Sequence, residues 1–522
     1  MKLSFLHAAG AATVQTRLGT IQGYEHNGLK IFKGIPYAKA ARFHAPEEPE
    51  PWEGVLDACS YGYVCPLMTN DRPRGELYVP HRFWPMDEDC MNLNIWTPGL
   101  DDGKRPVLVW LHGGGYEAGS SIEQTAYDGA NMSRLGNAVV VSINHRLNVL
   151  GYFDVSDFGE EYANSGNAGG DDIVAALRWI HENIALFGGD PARVTVFGQS
   201  GGGAKVTTLL QTPAADGLYS GGIVMSGVIG PVLADADGSG KELAEAIMKE
   251  LGLKGIKELE TVEYAALART YLKLRPAFAQ AGKYTGGRPH PNKYYVGDPL
   301  RVGFRKETAK IPLMVGSVFG EFASFGPITF DREGAAEAEQ AEAIRELWGE
   351  DIADALIPLF KKTYPERKLY DLTRLDFIFR QPEIRYIAER SKLNNCTWSY
   401  LFNLDQPIDG GNTPWHCCDI PYVFHNLELV EYPHGPAPDP EAAGRVEEEM
   451  FRSFLAFAEK GDPANGTIPD WPASTPGSEQ VLVIDGATRV ITNLDHEIMK
   501  TAEPLAEEMA KRLFSRKNNI QH

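Results

Sequence analysis

The chain has 522 residues and a formal net charge of −20, with 70 acidic and 50 basic side chains. This acidic balance argues against nucleic acid or an anionic membrane as a partner. A mild preference for neutral or cationic substrates would fit it, but the simpler interpretation is that the charge provides solubility. No apolar run approaches the roughly 18–20 residues that cross a bilayer, so we expect no membrane span.

The N-terminus and the cysteines bear on the compartment. The opening MKLSFLHAAGAA resembles a short signal peptide, but its apolar run covers only Leu3 to Leu6, against roughly 7–15 residues in a secretory signal. A cytoplasmic protein is therefore expected. The six cysteines form no CxxC pair, which favours free thiols, although Cys65 and Cys90 could close a loop in an oxidising compartment.

Taken in chain order, the hydrophobic patterning predicts a largely parallel sheet. Residues 14–45 are typical of short strands joined by turns. The nearly continuous apolar runs 106–111 and 138–143 predict buried parallel strands, and a third run, 194–197, leads into a glycine-rich turn. Strand, helix and strand in this order indicate a βαβ unit and an α/β fold.

Helical spacing follows in four places. One apolar stripe precedes the third strand, with Asp171 or Asp172 as the expected N-cap and Gly188-Gly189 as the stop; it consists of Ile173, Leu177, Ile180 and Ile184. Residues 241–251 and 337–360 predict further helices, and we expect helical insertions roughly within 240–400 to shape an access channel. A last stripe, at Val446, Met450, Phe454 and Phe457, ends before Gly461. The motifs need one another, so residues 1–522 are predicted to form one domain.

The sharpest motif is Gly198-Gln-Ser200-Gly-Gly202, placed between a predicted strand and a predicted helix. A GxSxG in this context is a nucleophile elbow, in which the serine hydroxyl is lifted above the carboxyl edge of the sheet. The turn leaves no room for side chains two residues before and after the serine, hence Gly198 and Gly202. The following helix N-terminus favours the negative charge that develops in the reaction.

A second glycine run supplies donors for an oxyanion. His112-Gly-Gly-Gly115 directly follows the strand 106–111, and backbone N–H groups of glycines can converge on one oxygen without side chains in the way. The predicted oxyanion hole consists of the N–H groups of Gly114, Gly115 and Gly201. His112 is interpreted as a structural hydrogen-bonding residue and not as the base.

The base and the acid follow the serine in this fold, in the order acid and then histidine. His416 lies in a loop just before an apolar segment, and His425 at the end of that segment is the runner-up. Glu321 follows the predicted strand 311–316 and would therefore lie at the same sheet edge as Ser200, where it would orient the imidazole. On spacing alone it remains one of several acids.

At this point the chain resembles the type-B carboxylesterase family, which includes p-nitrobenzyl esterase-like enzymes and cholinesterases. The motifs occur in the family's order and cover most of the chain: FKGIPYA at 32–38, EDCMNLN at 88–94, the HGGG run, NHR at 144–146, GNAG at 166–169 and NIALFGGDP at 183–191. The resemblance implies an α/β-hydrolase fold with a lid or gorge, Glu321 and His416 as the remaining members of a triad, and Ser226 as a buried supporting serine.

Two positions beside the nucleophile depart from the family. Members usually carry glutamate before the serine and alanine after it, where this chain has Gln199 and Gly201. Losing that carboxylate removes a negative charge near His416 and disfavours cation-preferring chemistry. The cholinesterase tryptophan has no clear match either, because Trp84 lies in a different register.

The sequence therefore predicts a carboxylic ester hydrolase that forms an acyl-enzyme on small to medium neutral esters. An amidase, carbamate hydrolase or thioesterase would use the same residues, and a non-catalytic adhesion module of the same fold is the alternative from another class. The run His416-Cys-Cys-Asp419 could suggest a metal, but adjacent residues cannot easily all face one ion. We expect no metal and no cofactor, and the sequence carries no signal for an oligomeric state.

Overall fold

The structure is a computed structural model and describes residues 5–6, 10, 12–69, 82–229, 238–325, 330–408, 411–430 and 439–509. Most of the N-terminal segment weighed above as a signal peptide lies outside these residues. The strands are β1 Phe5–Leu6, β2 Thr13–Gln15, β3 Thr20–Gln22, β4 Tyr24–His26, β5 Leu29–Pro36, β6 Val55–Asp57, β7 Asn92–Thr97, β8 Arg105–Leu111, β9 Val139–Ile143, β10 Gly189–Gln199, β11 Gly221–Met225, β12 Leu313–Val318, β13 Thr397–Phe402, β14 Gln480–Ile484 and β15 Arg489–Thr492.

The helices surround and extend this framework. They are α1 Ala130–Gly136, α2 Asn148–Gly151, α3 Ala168–Asn183, α4 Gly201–Leu210, α5 Lys241–Leu251, α6 Ile256–Thr261, α7 Tyr264–Gln280, α8 Pro299–Val302, α9 Glu337–Trp348, α10 Glu350–Thr363, α11 Arg380–Leu393, α12 Ile420–Phe424, α13 Pro440–Lys460 and α14 His496–Ala502. Among the helices in the described ranges, none combines the length and the apolar character that a membrane span requires.

A 12-stranded sheet runs in the order β1-β4-β5-β7-β9-β8-β10-β11-β12-β13-β14-β15, beside a small sheet of β2, β3 and β6. Each neighbouring pair from β9 to β14 is parallel, and the pairs at both edges are antiparallel. The carboxyl ends of β8, β10, β11 and β12 therefore meet at one edge. The predicted α/β-hydrolase architecture is confirmed.

Both faces of the central strands are buried, because helices cover the sheet on each side. Alternate residues of β8 divide between two clusters: Leu108 and Trp110 pack with residues of α13, while Val107 and Val109 pack with residues of α3. This explains the near-continuous apolar runs in the sequence, since a strand covered on two faces needs no polar side. Both predicted apolar stripes thus face the sheet.

Two helix boundaries differ from the prediction. The start of α3 is Ala168 and not Asp171 or Asp172, because the buried Asp172 carboxylate forms an ion pair with Arg146 at 2.6 Å. The helix ends at Asn183, and a tighter turn carries the chain on to Gly188, whose φ is 77°.

The predicted helix over 337–360 is wrong as a single element. Gly349, with φ 86°, separates α9 from α10, and a residue in the left-handed region interrupts the helical hydrogen-bond ladder. The prediction over 241–251 is confirmed by α5. The region 240–400 is mostly helical, as expected, and its segments reach the site described next.

Candidate active site

Ser200 lies in a strained turn between β10 and α4. Its φ of 57° and ψ of −125° are rare for a residue with a side chain, and such strain persists only where the surroundings impose it. The Ser200 N–H donates to the Met225 carbonyl of the neighbouring strand at 2.8 Å. A Cβ at Gly198 would lie 2.5 Å from the Leu111 carbonyl oxygen, and one at Gly202 would overlap it. The two glycines are therefore required by close packing.

The glycine loop after β8 lies against this turn. Leu111, the last residue of β8, pairs with Gly198 of β10, so the loop and the elbow leave the sheet side by side. Gly114 and Gly115 have φ values of 85° and 65°, which glycine adopts at no steric cost. The backbone of Gly115 touches Gly201 so closely that any Cβ at Gly201 would overlap it. The three glycines of the predicted oxyanion hole thus lie together.

The glycine loop is held in place by a buried lysine, Lys205, whose role was not predicted from the sequence. Lys205, in α4, is buried, and its Nζ donates to the His112 carbonyl at 2.9 Å. Burial lowers the pKa of Lys205 to about 7, and it also lowers the pKa of His112. A hydrogen bond at 2.9 Å joins the His112 Nδ1 atom to the Gly113 carbonyl, which fits a structural role for this histidine.

Glu321 and His416 are in direct contact beyond the end of β12. The His416 Nδ1 atom bonds to Glu321 Oε2, and both side chains are buried. The other oxygen, Oε1, accepts hydrogen bonds from the Ser226 hydroxyl at 2.6 Å and from the Val318 N–H at 3.0 Å. The carboxylate is thus held on both oxygens and has little freedom to turn away from the imidazole.

The His416 ring is enclosed by two aromatic rings and an amide. Phe322 lies 4.3 Å and Phe379 5.1 Å from it between ring centroids. The Gln199 Nε2 atom lies 3.4 Å from Nδ1 and 3.3 Å from Nε2 of the imidazole, while Gln199 Oε1 accepts from Cys417 Sγ at 3.1 Å. The residue that replaces the family's glutamate therefore contacts the histidine through a neutral group.

The runner-up histidine lies elsewhere. The two ring nitrogens of His425 are 3.7 Å from Glu447 and 3.6 Å from Glu448, both in α13. Its ring packs against Phe451 of the same helix at 5.0 Å. His425 directly follows α12 and therefore belongs to the packing of α12 against α13, and the structure joins His416 to Glu321 instead.

Two buried acids near Glu321 were not predicted. Burial, and after it the charge of Glu321, raises the pKa of Asp376 to about 7. The carboxylate of Asp376 accepts backbone N–H groups of residues 378–380 at 2.9–3.0 Å, and so fixes the segment that carries Phe379. Asp419 is raised to a pKa of about 7 by the same two causes and accepts from the Tyr400 hydroxyl at 3.3 Å. No sequence motif marks these contacts.

Three of the four residues 416–419 have separate partners, since His416 bonds to Glu321, Cys417 to Gln199 and Asp419 to Tyr400. Across the part of the chain that the structure describes, no cluster of three metal-binding side chains occurs. Cys65 and Cys90 are buried free thiols in one small apolar cluster. The hydrogen bond with Cys65, and after it burial, raises the pKa of the Cys90 thiol.

A cavity of about 840 Å³ opens from the glycine loop, within the usual range for small-molecule sites. Its lining includes Gly114, Gly115 and Gly201 of the two loops, and many residues of the segment 287–302, between α7 and β12. Arg275 of α7 and Tyr386 of α11 also line it. Segments within the range expected for the insertions thus line this cavity.

A glycine-flanked serine between a parallel strand and a helix is the arrangement of α/β-hydrolases. A family model described as the carboxylesterase family matches residues 10–502. The chain therefore belongs to the carboxylesterase family, and it is an ester hydrolase of the serine type.

Individual relatives cover almost the whole chain. It is 31% identical to the para-nitrobenzyl esterase of Bacillus subtilis (strain 168) over 93% of this chain and 97% of that one. It is also 31% identical to the phenmedipham hydrolase of Pseudarthrobacter oxydans, over 93% and 98%. Among solved structures, an esterase from anaerobic Clostridium hathewayi that can hydrolyse aliphatic aromatic polyesters is 47% identical, with a TM-score of 0.92 over 96% of this chain and 100% of that one.

Proposed function

We propose that the chain hydrolyses carboxylic esters through an acyl-enzyme, with Ser200 as nucleophile, His416 as general base and Glu321 as the acid that orients it. The observation that carries this proposal is the buried contact between Glu321 and the His416 Nδ1 atom. A proton held at Nδ1 leaves Nε2 as the basic nitrogen, which is the tautomer that a serine nucleophile needs. The strained elbow supports Ser200 as its target.

In the first step, His416 takes the Ser200 proton and the serine oxygen attacks the ester carbonyl. The carbonyl oxygen becomes negatively charged and accepts N–H groups of Gly114, Gly115 and Gly201, which need not move because the close packing of the two loops already holds them. The alcohol then leaves with the proton from His416, and water releases the acid by the same route.

The buried carboxylate of Glu321 stabilises the imidazolium that forms in each step. Ser226 and the Val318 N–H hold its other oxygen, so we propose that Ser226 is a supporting residue of the triad. Gln199 contacts the same imidazole without a charge, which supports neutral acyl and alcohol groups over quaternary ammonium groups at this position.

The printed names of the relatives suggest which esters to try. Phe322 is 46% exposed beside His416, and an exposed ring at this position would pack against an aromatic acyl or alcohol group. We therefore propose aromatic–aliphatic esters as substrates, in line with the Clostridium hathewayi esterase. Phenmedipham, after the Pseudarthrobacter oxydans hydrolase, belongs in the same panel.

The test is hydrolysis of p-nitrophenyl acetate, butyrate and octanoate by the wild type, Ser200→Ala and a matched control, Ser220→Ala. Ser220 is exposed and its hydroxyl contacts only the Val194 carbonyl among the bonds described. We expect Ser200→Ala to lower kcat by about 10⁴–10⁶ and Ser220→Ala to leave it within twofold. More than a tenth of the activity remaining in Ser200→Ala would refute the proposal.

A further inference from the structure

The buried amine that contacts the glycine loop is more than packing requires. Lys205 is 1% exposed, and its Nζ atom donates to the His112 carbonyl at 2.9 Å. Among the residues that the structure describes, none forms an ion pair with this amine. Burial of an amine without an ion pair is costly, and a methionine would fill a similar volume without that cost. Ionisable groups in such surroundings are concentrated at functional sites.

The contact lies where the glycine loop passes the nucleophile elbow. A Cβ added at Gly202 would lie 3.0 Å from the His112 carbonyl oxygen, which is the oxygen that accepts from Lys205. A Cβ added at Gly113, the next residue of the loop, would lie 3.6 Å from the Ser200 Cβ atom. Lys205 therefore holds the loop beside the proposed nucleophile and directly ahead of the proposed oxyanion donors.

Titratable groups from four other segments face this amine. His112 follows β8 and His145 follows β9, and their rings stack at 5.1 Å between centroids. Glu123 lies beyond the glycine loop, and Cys65 precedes β7. Burial, and after it the charge of Lys205, lowers the pKa of both histidines. Because both imidazoles are kept neutral, Lys205 is the residue of this group that carries the positive charge.

We propose that Lys205, in its protonated form, is a positioning residue for the oxyanion hole. Through the His112 carbonyl it fixes the glycine loop against Ser200. Its positive charge also favours the oxyanion, which exists only during the reaction, so the benefit falls on the transition state. The inference rests on the proposed ester hydrolysis and adds a second protonation requirement to it. His416 has to be neutral to act as the base, and Lys205 has to be charged.

The two requirements predict a bell-shaped pH profile of kcat/KM. Burial lowers the pKa of Lys205 from 10.5 to about 7, although Glu123 and Cys65 act in the opposite direction. The amine therefore loses its proton as the pH rises through that value, and kcat/KM should fall. We expect a fall of about tenfold to a plateau, because the neutral amine still donates to the carbonyl but more weakly than the ammonium.

The experiment measures kcat and KM for p-nitrophenyl butyrate from about pH 5 to pH 10. The product is read at its isosbestic wavelength, so that the signal itself does not depend on pH. The proteins are the wild type, Lys205→Met, Lys205→Arg and a matched control, Lys249→Met. Methionine removes both the charge and the donor, whereas arginine keeps both and does not titrate in this range. Lys249 is an exposed lysine of α5, so its variant makes the same change outside the site.

We expect Lys205→Met to lower kcat at neutral pH about 10- to 100-fold, the range for a hydrogen bond from a charged group. Its KM should stay within about twofold, and its alkaline limb should be absent. Lys205→Arg should recover most of the kcat and should also lack the alkaline limb, since its charge persists. Lys249→Met should follow the wild type at every pH.

The outcomes separate this role from the proposed function. A kcat of Lys205→Met within about threefold of the wild type, or an alkaline limb near pH 7 that persists in this variant, would overturn the role of Lys205 and leave ester hydrolysis intact. A lowered kcat in Lys205→Met, with no such limb in the wild type, would indicate a structural contact and would overturn it too. If the variants fail to fold, the presence or absence of the limb in the wild type decides. If Ser200→Ala keeps more than a tenth of the activity, the proposed function fails and the role of Lys205 fails with it.

Discussion

Replacing Gly201 by alanine, the residue that the family usually carries, should lower kcat about a hundredfold without unfolding the chain. A Cβ at this position would lie about 1 Å closer to the backbone nitrogen and Cα of Gly115 than the 3.4 Å at which ordinary van der Waals contact begins. Both partners are backbone, so the glycine loop has to move by about that distance. Removing one donor of an oxyanion hole costs about 10²–10³ in kcat, and displacement by 1 Å costs about 10².

The same change should lower the free energy of unfolding by about 1–3 kcal/mol, the usual cost of overpacking, which leaves the chain folded. Gly201 is the first residue of α4, where alanine is the better helix former by up to about 1 kcal/mol, and this offsets part of the strain. The matched control is Gly444→Ala in α13, an exposed helical position at which an added Cβ meets nothing within 4 Å. It should leave kcat unchanged and raise the free energy of unfolding by about 0.5–1 kcal/mol.

The assay is kcat and KM for p-nitrophenyl butyrate together with the thermal midpoint of unfolding for each variant. A kcat of Gly201→Ala within threefold of the wild type would refute the reasoning, because the loop would then tolerate the displacement that the packing forces on it. A lowered kcat accompanied by a large fall in the midpoint would refute it too, since the loss would then come from unfolding.

Three further changes test the surroundings of the imidazole. Ser226→Ala removes the 2.6 Å bond to Glu321 and should lower kcat about tenfold with KM unchanged; an unchanged kcat would contradict the supporting role. Gln199→Glu puts a carboxylate within 3.4 Å of His416, so the acidic limb of the pH profile of kcat/KM should move up by about one unit, and a stationary limb would argue against this contact. Burial and the charge of Glu321 raise the pKa of Asp419 from 3.8 to about 7, so the folded chain retains a proton that the unfolded chain releases and loses stability as the pH rises through that window. Asp419→Asn lacks this loss, and its thermal midpoint relative to the wild type should increase between pH 5 and 7; parallel pH dependences would contradict the assignment.

The local sequence pattern was sufficient to predict much of the central sheet. The apolar runs at 106–111 and 138–143 correspond to β8 and β9, because a strand covered on both faces needs apolar residues throughout. The glycines around Ser200 were predictable for a similar reason, as steric exclusion acts over four residues. The pairing of Glu321 with His416, by contrast, was predicted from the family resemblance, because spacing alone left several acids as candidates.

What the sequence did not provide depends on contacts between distant segments. Asp172 has the sequence context of a helix cap, yet its carboxylate forms an ion pair with Arg146. No feature of the local sequence predicts that pair. In the sequence, Lys205 has the pattern of an ordinary helical lysine. Only the fold places its Nζ within hydrogen-bonding distance of the His112 carbonyl. The cavity is lined by residues of several segments that share no sequence period, so only the folded chain shows which side chains line it.

The separation along the chain between the two halves of the site has a consequence for biosynthesis. The glycine loop and Ser200 follow two strands that pair directly, whereas Gln199 meets His416 across 217 residues. At about 5–20 residues per second, a ribosome makes Ser200 some 10–40 s before His416, its proposed base. With the proposed roles, a growing or prematurely terminated chain therefore carries the serine without its base, and we expect hydrolysis only once the polypeptide has been made beyond His416.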